Sequence, residues 1–217
     1  TTFLPTIITS SEEHIIAGLR AIAAARAEDV LCSAMIPFAH VEGPFLSPDD
    51  GPRGAHPRAH VRPLDIAEVR RWQDASGGLV GLLTISPHDA DAPAFIRESA
   101  ALGVRVALGH THATGEQIRA AADAGATLST HLGNGAAAML PRHPNFIWAQ
   151  LAEDRLAASF IADGHHLPAD AFTAMLRAKG LDRALLVSDA TALGGMPPGV
   201  YDQPIGGRVE LTAEGRL

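Results

Sequence analysis

The sequence predicts an α/β fold with a mostly parallel sheet, of the kind that closes into a (β/α) barrel. Strand-like apolar runs alternate with helix-like segments along the chain, which is typical of parallel sheets. These runs are continuously apolar, which indicates that both faces of the sheet are buried. Four of them end on a polar residue that suits metal chemistry. Because a closed barrel has eight strands and the pattern gives seven, we predict that one strand is missing.

The first half of the chain predicts three strands separated by helices. The strands lie at residues 3–9, 30–38 and 79–85. Ser10 and Glu13 form a capping box that is followed by apolar residues at helical spacing, so a helix is predicted after the first strand. Residues 64–72 predict a second helix. The Pro- and Gly-rich stretch at residues 47–63 is interpreted as a long functional loop.

The second half continues this alternation with four strands and three helices. The strands lie at residues 104–108, 127–130, 157–161 and 185–187. The helices begin at Asp91 with Pro93, at a capping box of Thr114 and Gln117, and at Ala169, and they end at Gly103, Gly125 and Gly180. Residues 200–217 predict a β-hairpin, because 207–212 alternate and 213–215 favour a turn. We interpret residues 1–217 as a single barrel domain with this hairpin appended.

The composition argues against several classes of partner. The formal net charge is −7 at pH 7 and no dense Lys/Arg run exists, so nucleic acid and anionic membrane surfaces are not expected partners. No apolar stretch reaches the roughly 18–20 residues of a membrane span. The single cysteine, Cys32, cannot form an internal disulfide, which favours a reducing, cytoplasmic setting.

Three of the polar residues at strand ends form a candidate metal site. Glu42 lies in His-Val-Glu-Gly-Pro-Phe, His110 in Gly-His-Thr-His and His131 in Ser-Thr-His-Leu-Gly-Asn. One carboxylate and two imidazoles from three strands leave an open position for water, as a catalytic zinc site requires. Taken singly, a strand-end glutamate is often only a surface residue, and a lone histidine is more often structural. Their joint placement favours a metal site, which zinc, iron and other divalent ions would all suit.

Asp189, at the end of the last strand of the series, is the candidate proton carrier. In the functional interpretation it accepts a proton from the attacking water and delivers it to a leaving amine. In the alternative interpretation it caps a helix or closes a turn. His166 is a candidate for polarising a carbonyl or holding a hydroxyl, and Arg142 is a candidate anion ligand, although isolated arginines are usually solvated. We interpret His112, two residues beyond His110, as a structural residue or as one that supports the metal site.

Six motifs along the chain resemble those of one enzyme family. They are HVEGPFLSP, RGAHP, LGHTHAT, THLGNGAAAM, IADGHHLP and LVSDATALGG, in family order from residue 40 to about residue 195. The chain resembles the N-acetylglucosamine-6-phosphate deacetylases of the amidohydrolase superfamily over essentially its whole length. The resemblance implies an eight-stranded TIM-like (β/α) barrel with a small β-sandwich built from both chain ends. The first strand and the sandwich have no counterpart here, so we expect a fragment of a longer protein.

The resemblance also implies roles for individual residues. Glu42, His110 and His131 fall on the metal ligands, Asp189 falls on the catalytic aspartate, and His166 falls on the histidine that engages the substrate near its acetyl group. Substrate contacts are implied for six positions: Ala55, His56, Asn134, Gly135, Arg142 and His166. In the family the arginine reaches the sugar phosphate across a dimer interface, so a homodimer is expected.

Two departures from the family pattern bear on the substrate. Gly133 stands where the family has an aromatic residue and Ala136 where it has a methionine, and Arg-His-Pro-Asn at residues 142–145 replaces Arg-Glu-Pro-Gly. The first hypothesis is metal-dependent hydrolysis of N-acetylglucosamine-6-phosphate to glucosamine-6-phosphate and acetate, with zinc as the preferred ion. The alternatives are deacylation of a different N-acyl compound, with or without a phosphate, and a sugar-phosphate-binding module without turnover. The sequence is compatible with one bound metal ion and also with two.

Overall fold

The computed structural model describes residues 2–203 and 207–215, in which seven parallel strands form one open sheet. The strands are β1 (Thr6–Ile8), β2 (Ala39–Glu42), β3 (Val80–Ile85), β4 (Arg105–Leu108), β5 (Leu128–Ser129), β6 (Ala157–Ile161) and β7 (Ala184–Val187). Each strand pairs with the next one along the chain, so sheet order equals sequence order. All seven carboxyl ends therefore lie along one edge, as in a (β/α) barrel, which confirms the predicted fold class.

Helices connect the strands and cover the sheet. They are α1 (Glu12–Glu28), α2 (Val30–Met35), α3 (Ile66–Ser76), α4 (Ala92–Ala101), α5 (Gly115–Ala124), α6 (Phe146–Ala152) and α7 (Ala169–Lys179). The predicted capping box at α5 is confirmed, because Thr114 Oγ1 accepts from the Gln117 amide and the Gln117 side chain accepts from the Thr114 amide. Gly125 ends this helix in the left-handed conformation that glycine adopts most readily. Among the described residues, no helix combines the length and hydrophobicity needed to cross a bilayer.

The main hydrophobic core lies between the sheet and helices α1, α3, α4 and α5. Ile15 and Leu19 of α1 are fully buried against it. The Trp72 ring of α3 stacks on Phe45 with ring centroids 5.7 Å apart, and Phe95 of α4 meets Phe45 edge-on at 5.3 Å. Phe45 comes three residues after the end of β2, so this packing fixes the loop that leaves the carboxyl end of that strand.

The strand predicted at residues 30–38 is wrong, because none of these residues lies in a strand. Residues Val30–Met35 form helix α2, and the strand itself begins at Ala39. Asp29 caps α2, since its Oδ1 accepts from the amides of Leu31 at 2.6 Å and Cys32 at 3.1 Å. A capped helical turn that satisfies its own amides needs no strand partner, so the apolar Val30 remains 89% exposed.

The cap predicted for the first helix is displaced by one residue. Helix α1 begins at Glu12 and is capped by Ser11, whose Oγ accepts from the His14 amide at 3.3 Å. Ser10 lies one position further out, with its Oγ 3.4 Å from His14 Nδ1. The predicted capping pair of Ser10 and Glu13 is therefore wrong. Two adjacent serines make the capping position ambiguous from the sequence.

A two-stranded antiparallel sheet follows β7. It consists of β8 (Gly199–Gln203) and β9 (Gly207–Leu211). The connection between them, residues 204–206, lies outside the described residues, as do residues 216–217 of the predicted hairpin. The turn expected at 213–215 comes after β9, where the Gly215 amide donates to the Thr212 carbonyl at 3.0 Å, so it does not join the paired strands.

A buried lysine holds α7 against the end of α6. Lys179 Nζ donates to the carbonyls of Gln150 at 2.7 Å and Glu153 at 2.9 Å, and the residue is fully buried. We expect Lys179→Met to lower the free energy of unfolding by about 1–3 kcal/mol, because both carbonyls lose their donor. Urea denaturation measures this effect, with Arg177→Met on the exposed side of α7 as the matched control. Equal losses in the two variants would contradict the assigned role.

Candidate metal centre and active site

Four residues named from the sequence lie at the carboxyl edge of the sheet. Glu42 is the last residue of β2, and His110, His131 and Asp189 each come two residues after the end of β4, β5 and β7. Because the carboxyl ends of parallel strands lie on one side of a barrel, these side chains start from a common edge.

Three of these residues share an unusual backbone conformation. Within the described part of the chain, His110, His131 and Asp189 are the non-glycine residues with positive φ, at 49°, 28° and 48°. Such a conformation costs about 1–3 kcal/mol per residue and is typical of active sites, where it aims a side chain. The backbone therefore singles out the two imidazoles and the second carboxylate independently of their chemistry.

Glu42, His110 and His131 form a compact buried cluster. The distance from Glu42 Oε1 is 2.9 Å to His131 Nε2 and 3.1 Å to His110 Nε2. The two Nε2 atoms are themselves 3.1 Å apart. All three side chains are buried, so the contacts are shielded from water.

His56 adds a fourth donor to this cluster. Its Nε2 lies 3.2 Å from His110 Nε2, and Glu42, His56 and His110 each offer a ligand atom within 4.8 Å of the others. Sequence reasoning assigned His56 only to substrate contact. Its place beside His110 depends on how the loop after β2 folds back over the sheet, and the motif by itself carries no signal of that approach.

Hydrogen bonds on the far side of two imidazoles fix their tautomers. His110 Nδ1 donates to the Pro52 carbonyl at 2.9 Å, which leaves Nε2 unprotonated in the neutral ring. Thr9 Oγ1 donates to the Glu42 carbonyl and lies 2.8 Å from His56 Nδ1, so that nitrogen is the donor and His56 Nε2 is also unprotonated. The Nε2 lone pairs of His110 and His56 and the carboxylate of Glu42 then face one another. This donor set fits a divalent cation, which needs neutral imidazoles held by such outer bonds.

The ionisation of the cluster follows from burial and mutual charge. Burial alone would raise the pKa of the Glu42 carboxyl, but its contacts with His110 and His131 bring it well below its usual value. Burial opposes protonation of His131, yet the Glu42 hydrogen bond and charge, with the charge of Asp189, raise the His131 pKa overall. Desolvation first, and repulsion from Glu42 second, raise the pKa of Asp189. Asp189 is thus electrostatically coupled to the cluster as a potential proton acceptor.

The chain is similar to known deacetylases over nearly all of its length. It is 32% identical over 225 residues to N-acetylglucosamine-6-phosphate deacetylase of Bacillus subtilis (strain 168), and 35% identical over 221 residues to N-acetylgalactosamine-6-phosphate deacetylase of Escherichia coli O157:H7. These matches cover 100% and 99% of this chain but 56% and 57% of the relatives, so the chain spans about half their length. No protein-family model matches the chain.

A solved structure gives the same result. A mutant of the Mycobacterium smegmatis N-acetyl-D-glucosamine-6-phosphate deacetylase, in complex with N-acetyl-D-glucosamine-6-phosphate, aligns with a TM-score of 0.87 at 33% identity, covering 98% of this chain and 54% of that one. The chain belongs to the N-acetylglucosamine-6-phosphate deacetylase family. The resemblance inferred from the six motifs is thereby confirmed, and so is the barrel fold class.

The substrate residues expected of a family member have unequal support in the structure. Gly135 borders the cluster, since a Cβ built there would lie 2.7 Å from His110 Nδ1, and its φ of +55° also favours glycine. Asn134 Nδ2 is buried without a hydrogen-bond partner, as expected of a group that awaits a ligand. His166 is exposed, with Nδ1 2.7 Å from Asp163 Oδ2, and its charge interacts with Asp189. Ala55 and Arg142 are exposed, and within the described part of the chain neither forms a hydrogen bond or ion pair with the cluster.

A buried histidine supports the centre from within the sheet. His40, two residues before Glu42, has Nε2 2.8 Å from Thr84 Oγ1 and Nδ1 3.2 Å from Thr6 Oγ1, and Thr84 continues to Thr130 at 2.8 Å. Desolvation lowers the pKa of His40 from 6.5 to about 4, against an opposing attraction to Glu42. His40 is therefore neutral in the folded protein at pH 5, whereas it is protonated in the unfolded chain.

We expect the metal-free protein to lose stability as the pH falls from 6.5 to about 4. Over that interval the unfolded chain binds a proton at His40 that the folded chain does not. Each unit by which the pH falls therefore lowers the free energy of unfolding by up to about 1.4 kcal/mol. Urea unfolding at pH 7, 6 and 5 measures the slope, and His40→Asn should flatten it. An unchanged slope in the variant would show that other groups control the acid transition.

Proposed function

We propose that this chain forms the catalytic core of a metal-dependent hydrolase that removes the acetyl group from N-acetylglucosamine-6-phosphate, giving glucosamine-6-phosphate and acetate. The observation that carries the proposal is the strained backbone shared by His110, His131 and Asp189, which aims two imidazoles and a carboxylate from the same edge of the sheet as Glu42. Residues with only a structural role at strand ends would not be expected to adopt positive φ, because this conformation is energetically unfavourable for non-glycine residues.

Glu42, His110 and His131 are the proposed metal ligands. When bound, a divalent ion lowers the pKa of a coordinated water toward about 7. The Pro52 carbonyl orients His110 by accepting its Nδ1 proton, and Glu42 remains ionised because of its two histidine contacts. Zinc is the ion we propose first, with iron or another divalent ion as the alternative, since this nitrogen and oxygen set suits several metals.

Asp189 is the proposed general base and acid. It takes a proton from the attacking water as the oxygen adds to the acetyl carbonyl carbon. The same proton then moves to the amine nitrogen as the carbon–nitrogen bond breaks, so acetate and the free amino sugar leave. A raised carboxyl pKa suits both halves of this cycle, because the protonated form must persist long enough to donate.

The remaining residues are proposed to hold the sugar and its reacting group. His166 would donate to the oxyanion that develops on the acetyl carbonyl. The unpartnered Nδ2 of Asn134 and the backbone at Gly135 would receive the sugar beside the metal cluster. His56, which is buried against His110, is a candidate for the carbonyl as well as for the ion. Arg142 and Ala55 would bind the outer part of the substrate, with Arg142 on the phosphate.

A second candidate substrate is N-acetylgalactosamine-6-phosphate. The similarity to N-acetylgalactosamine-6-phosphate deacetylases from Escherichia coli O157:H7 and from a Shewanella strain, at 35% and 37% identity, favours testing this epimer. The two sugars differ only at one hydroxyl, so the metal cluster and Asp189 would serve both.

Acetate release by the full-length protein tests these substrates together. We expect turnover of at least one 6-phosphorylated N-acetylhexosamine and little turnover of the unphosphorylated N-acetylglucosamine. A preference for the unphosphorylated compound would support the alternative of a different N-acyl substrate and would remove the role of Arg142. Binding without any acetate release would support a sugar-phosphate-binding module.

We further propose a cytoplasmic homodimer. The free cysteine Cys32 supports a reducing compartment, and the exposed Arg142 is compatible with an arginine that serves a neighbouring subunit. Mixing Arg142→Ala with an Asp189→Asn variant tests the shared site, because only mixed dimers would regain one complete set of residues.

A further inference from the structure

The long loop after β2 is closed at its base by Arg62. This loop covers residues 43–61 and brings His56 to the metal cluster. At its start, the Pro44 carbonyl accepts from the Arg62 amide at 3.1 Å. At its end, the His60 carbonyl accepts from Arg62 Nη1 at 2.7 Å. Arg62 therefore bonds to both ends of the loop that carries His56.

Glu68 of helix α3 fixes the orientation of the Arg62 guanidinium. Arg62 Nε donates to Glu68 Oε2 at 2.9 Å, and Nη2 donates to the other oxygen of the same carboxylate. Glu68 is 3% exposed, whereas the Arg62 side chain is 26% exposed. A buried carboxylate is strongly unfavourable without a partner, and a two-point contact allows the planar guanidinium one geometry. The pair therefore defines where the remaining N–H groups of Arg62 point.

One of these N–H groups reaches the loop after β1. Arg62 Nη1 donates to the Ser10 carbonyl at 2.9 Å. The residue before Ser10 is Thr9, which is buried, and its Oγ1 lies 2.8 Å from His56 Nδ1. Arg62 thus bonds to both loops whose side chains meet in the hydrogen bond between His56 and Thr9.

We propose that Arg62, oriented by Glu68, is a positioning residue for His56. It keeps the loops after β1 and β2 at the separation at which Thr9 Oγ1 accepts the Nδ1 proton of His56. The Nε2 atom of His56 then stays directed at His110 Nε2, 3.2 Å away in the metal cluster. The effect of Arg62 on turnover rests on the proposed deacetylation, whereas its effect on the orientation of His56 does not.

Another arginine of the same region provides a matched comparison. Arg70 of α3 donates to Glu98 of α4 at 2.9 Å, but these side chains are 51% and 49% exposed. Exposed ion pairs of this kind contribute little, because water competes for both charges. Arg70→Lys therefore has the same chemical change as Arg62→Lys without the contacts to the two loops.

Turnover by the full-length, zinc-loaded protein tests the catalytic part of the proposal. Arg62→Lys keeps a positive charge beside Glu68, but an ammonium group cannot reproduce the planar fork that spans a carboxylate and two carbonyls. We expect kcat to fall by about 10–100-fold, as for a misplaced active-site group, and Arg70→Lys to keep the wild-type rate. In a Thr9→Val background, Arg62→Lys should add less than about a twofold loss, because both changes act through one hydrogen bond.

The orientation of His56 is measured without turnover. In zinc-loaded protein labelled with ¹⁵N-histidine, the Nδ1 proton of His56 should give a nuclear magnetic resonance signal that His56→Ala lacks. Arg62→Lys should lose this signal. Arg70→Lys should keep it, and so should Lys179→Met, which destabilises the fold at a different place. A wild type that shows this pattern but releases no acetate would reject the proposed function and retain the positioning role.

A second variant keeps the test decisive if Arg62→Lys does not fold. Glu68→Gln preserves the shape of the carboxylate but weakens its contact with Arg62, so it should change the His56 signal and the rate in the same direction. The inference is overturned if the His56 signal persists in the folded variant. It is also overturned if Arg62→Lys lowers the rate by the same factor with Thr9 and with Thr9→Val.

Discussion

Asp189→Asn should reduce acetate release by roughly 10²–10⁴-fold, the range expected when a general acid–base group is removed. The amide is nearly isosteric with the carboxylate, so it keeps the shape of the strand end but can no longer accept a proton. The full-length protein is assayed with N-acetylglucosamine-6-phosphate and N-acetylgalactosamine-6-phosphate. Metal content should remain that of the wild type, because Asp189 is not a proposed ligand.

The matched control for this prediction is Asp182→Asn, an exposed aspartate in the short turn before β7. It should leave the rate unchanged. Full activity in Asp189→Asn would exclude Asp189 as the proton carrier and leave its positive φ of 48° without a catalytic explanation. Loss of metal together with activity would instead make Asp189 a ligand.

His110→Ala should abolish both stoichiometric metal binding and acetate release. His110 contacts the largest number of partners in the cluster, with Nε2 within 3.2 Å of Glu42, His56 and His131. Its removal takes out one ligand and releases the others from their mutual arrangement, so we expect metal affinity to fall by more than the roughly 10–100-fold typical of an outer-shell change. Elemental analysis of the purified variant measures the metal directly.

Chelation of the wild type should reproduce the inactive state reversibly. Activity should return on addition of zinc or iron to the metal-free wild type and should not return for His110→Ala. His56→Ala distinguishes the two roles of that residue, since retained metal with lost turnover indicates substrate contact and lost metal indicates ligation. Activity of the metal-free protein equal to that of the loaded protein would refute the metal-dependent mechanism.

The sequence predicted the sheet well wherever an apolar run had clear boundaries. Strand β6 and helix α7 occur at the predicted residues, because Gly180 ends the helix, and Arg155 and Asp163 lie close outside the two ends of the strand. The run at residues 30–38 instead forms a short helix, Val30–Met35, and a connection to the strand that begins at Ala39, since a local cap at Asp29 outweighed the strand propensity of its apolar residues. Helix α6 was not predicted, although Asn145 caps it, because its seven residues are too few to establish a helical period.

The candidate site shows a similar division. Strand-end residues such as Glu42 and His110 could be predicted, since the topology of a parallel sheet brings strand ends together. The role of His56 as a potential ligand could not be predicted, because its proximity to His110 depends on how the long loop after β2 folds back over the sheet. The order of residues in the chain does not give the distance between such a loop and the residues at the strand ends.

The positive φ angles of His110, His131 and Asp189 also have a consequence for protein engineering. Glycine adopts such angles without the penalty borne by other residues, so each of the three positions would be conformationally easier for glycine than for the residue present. Selection of variants for heat resistance alone should therefore favour glycine there and yield sturdier but inactive proteins. A mutant library screened for thermal tolerance would need a parallel screen for turnover, or it would enrich chains that have lost their chemistry at these three strand ends.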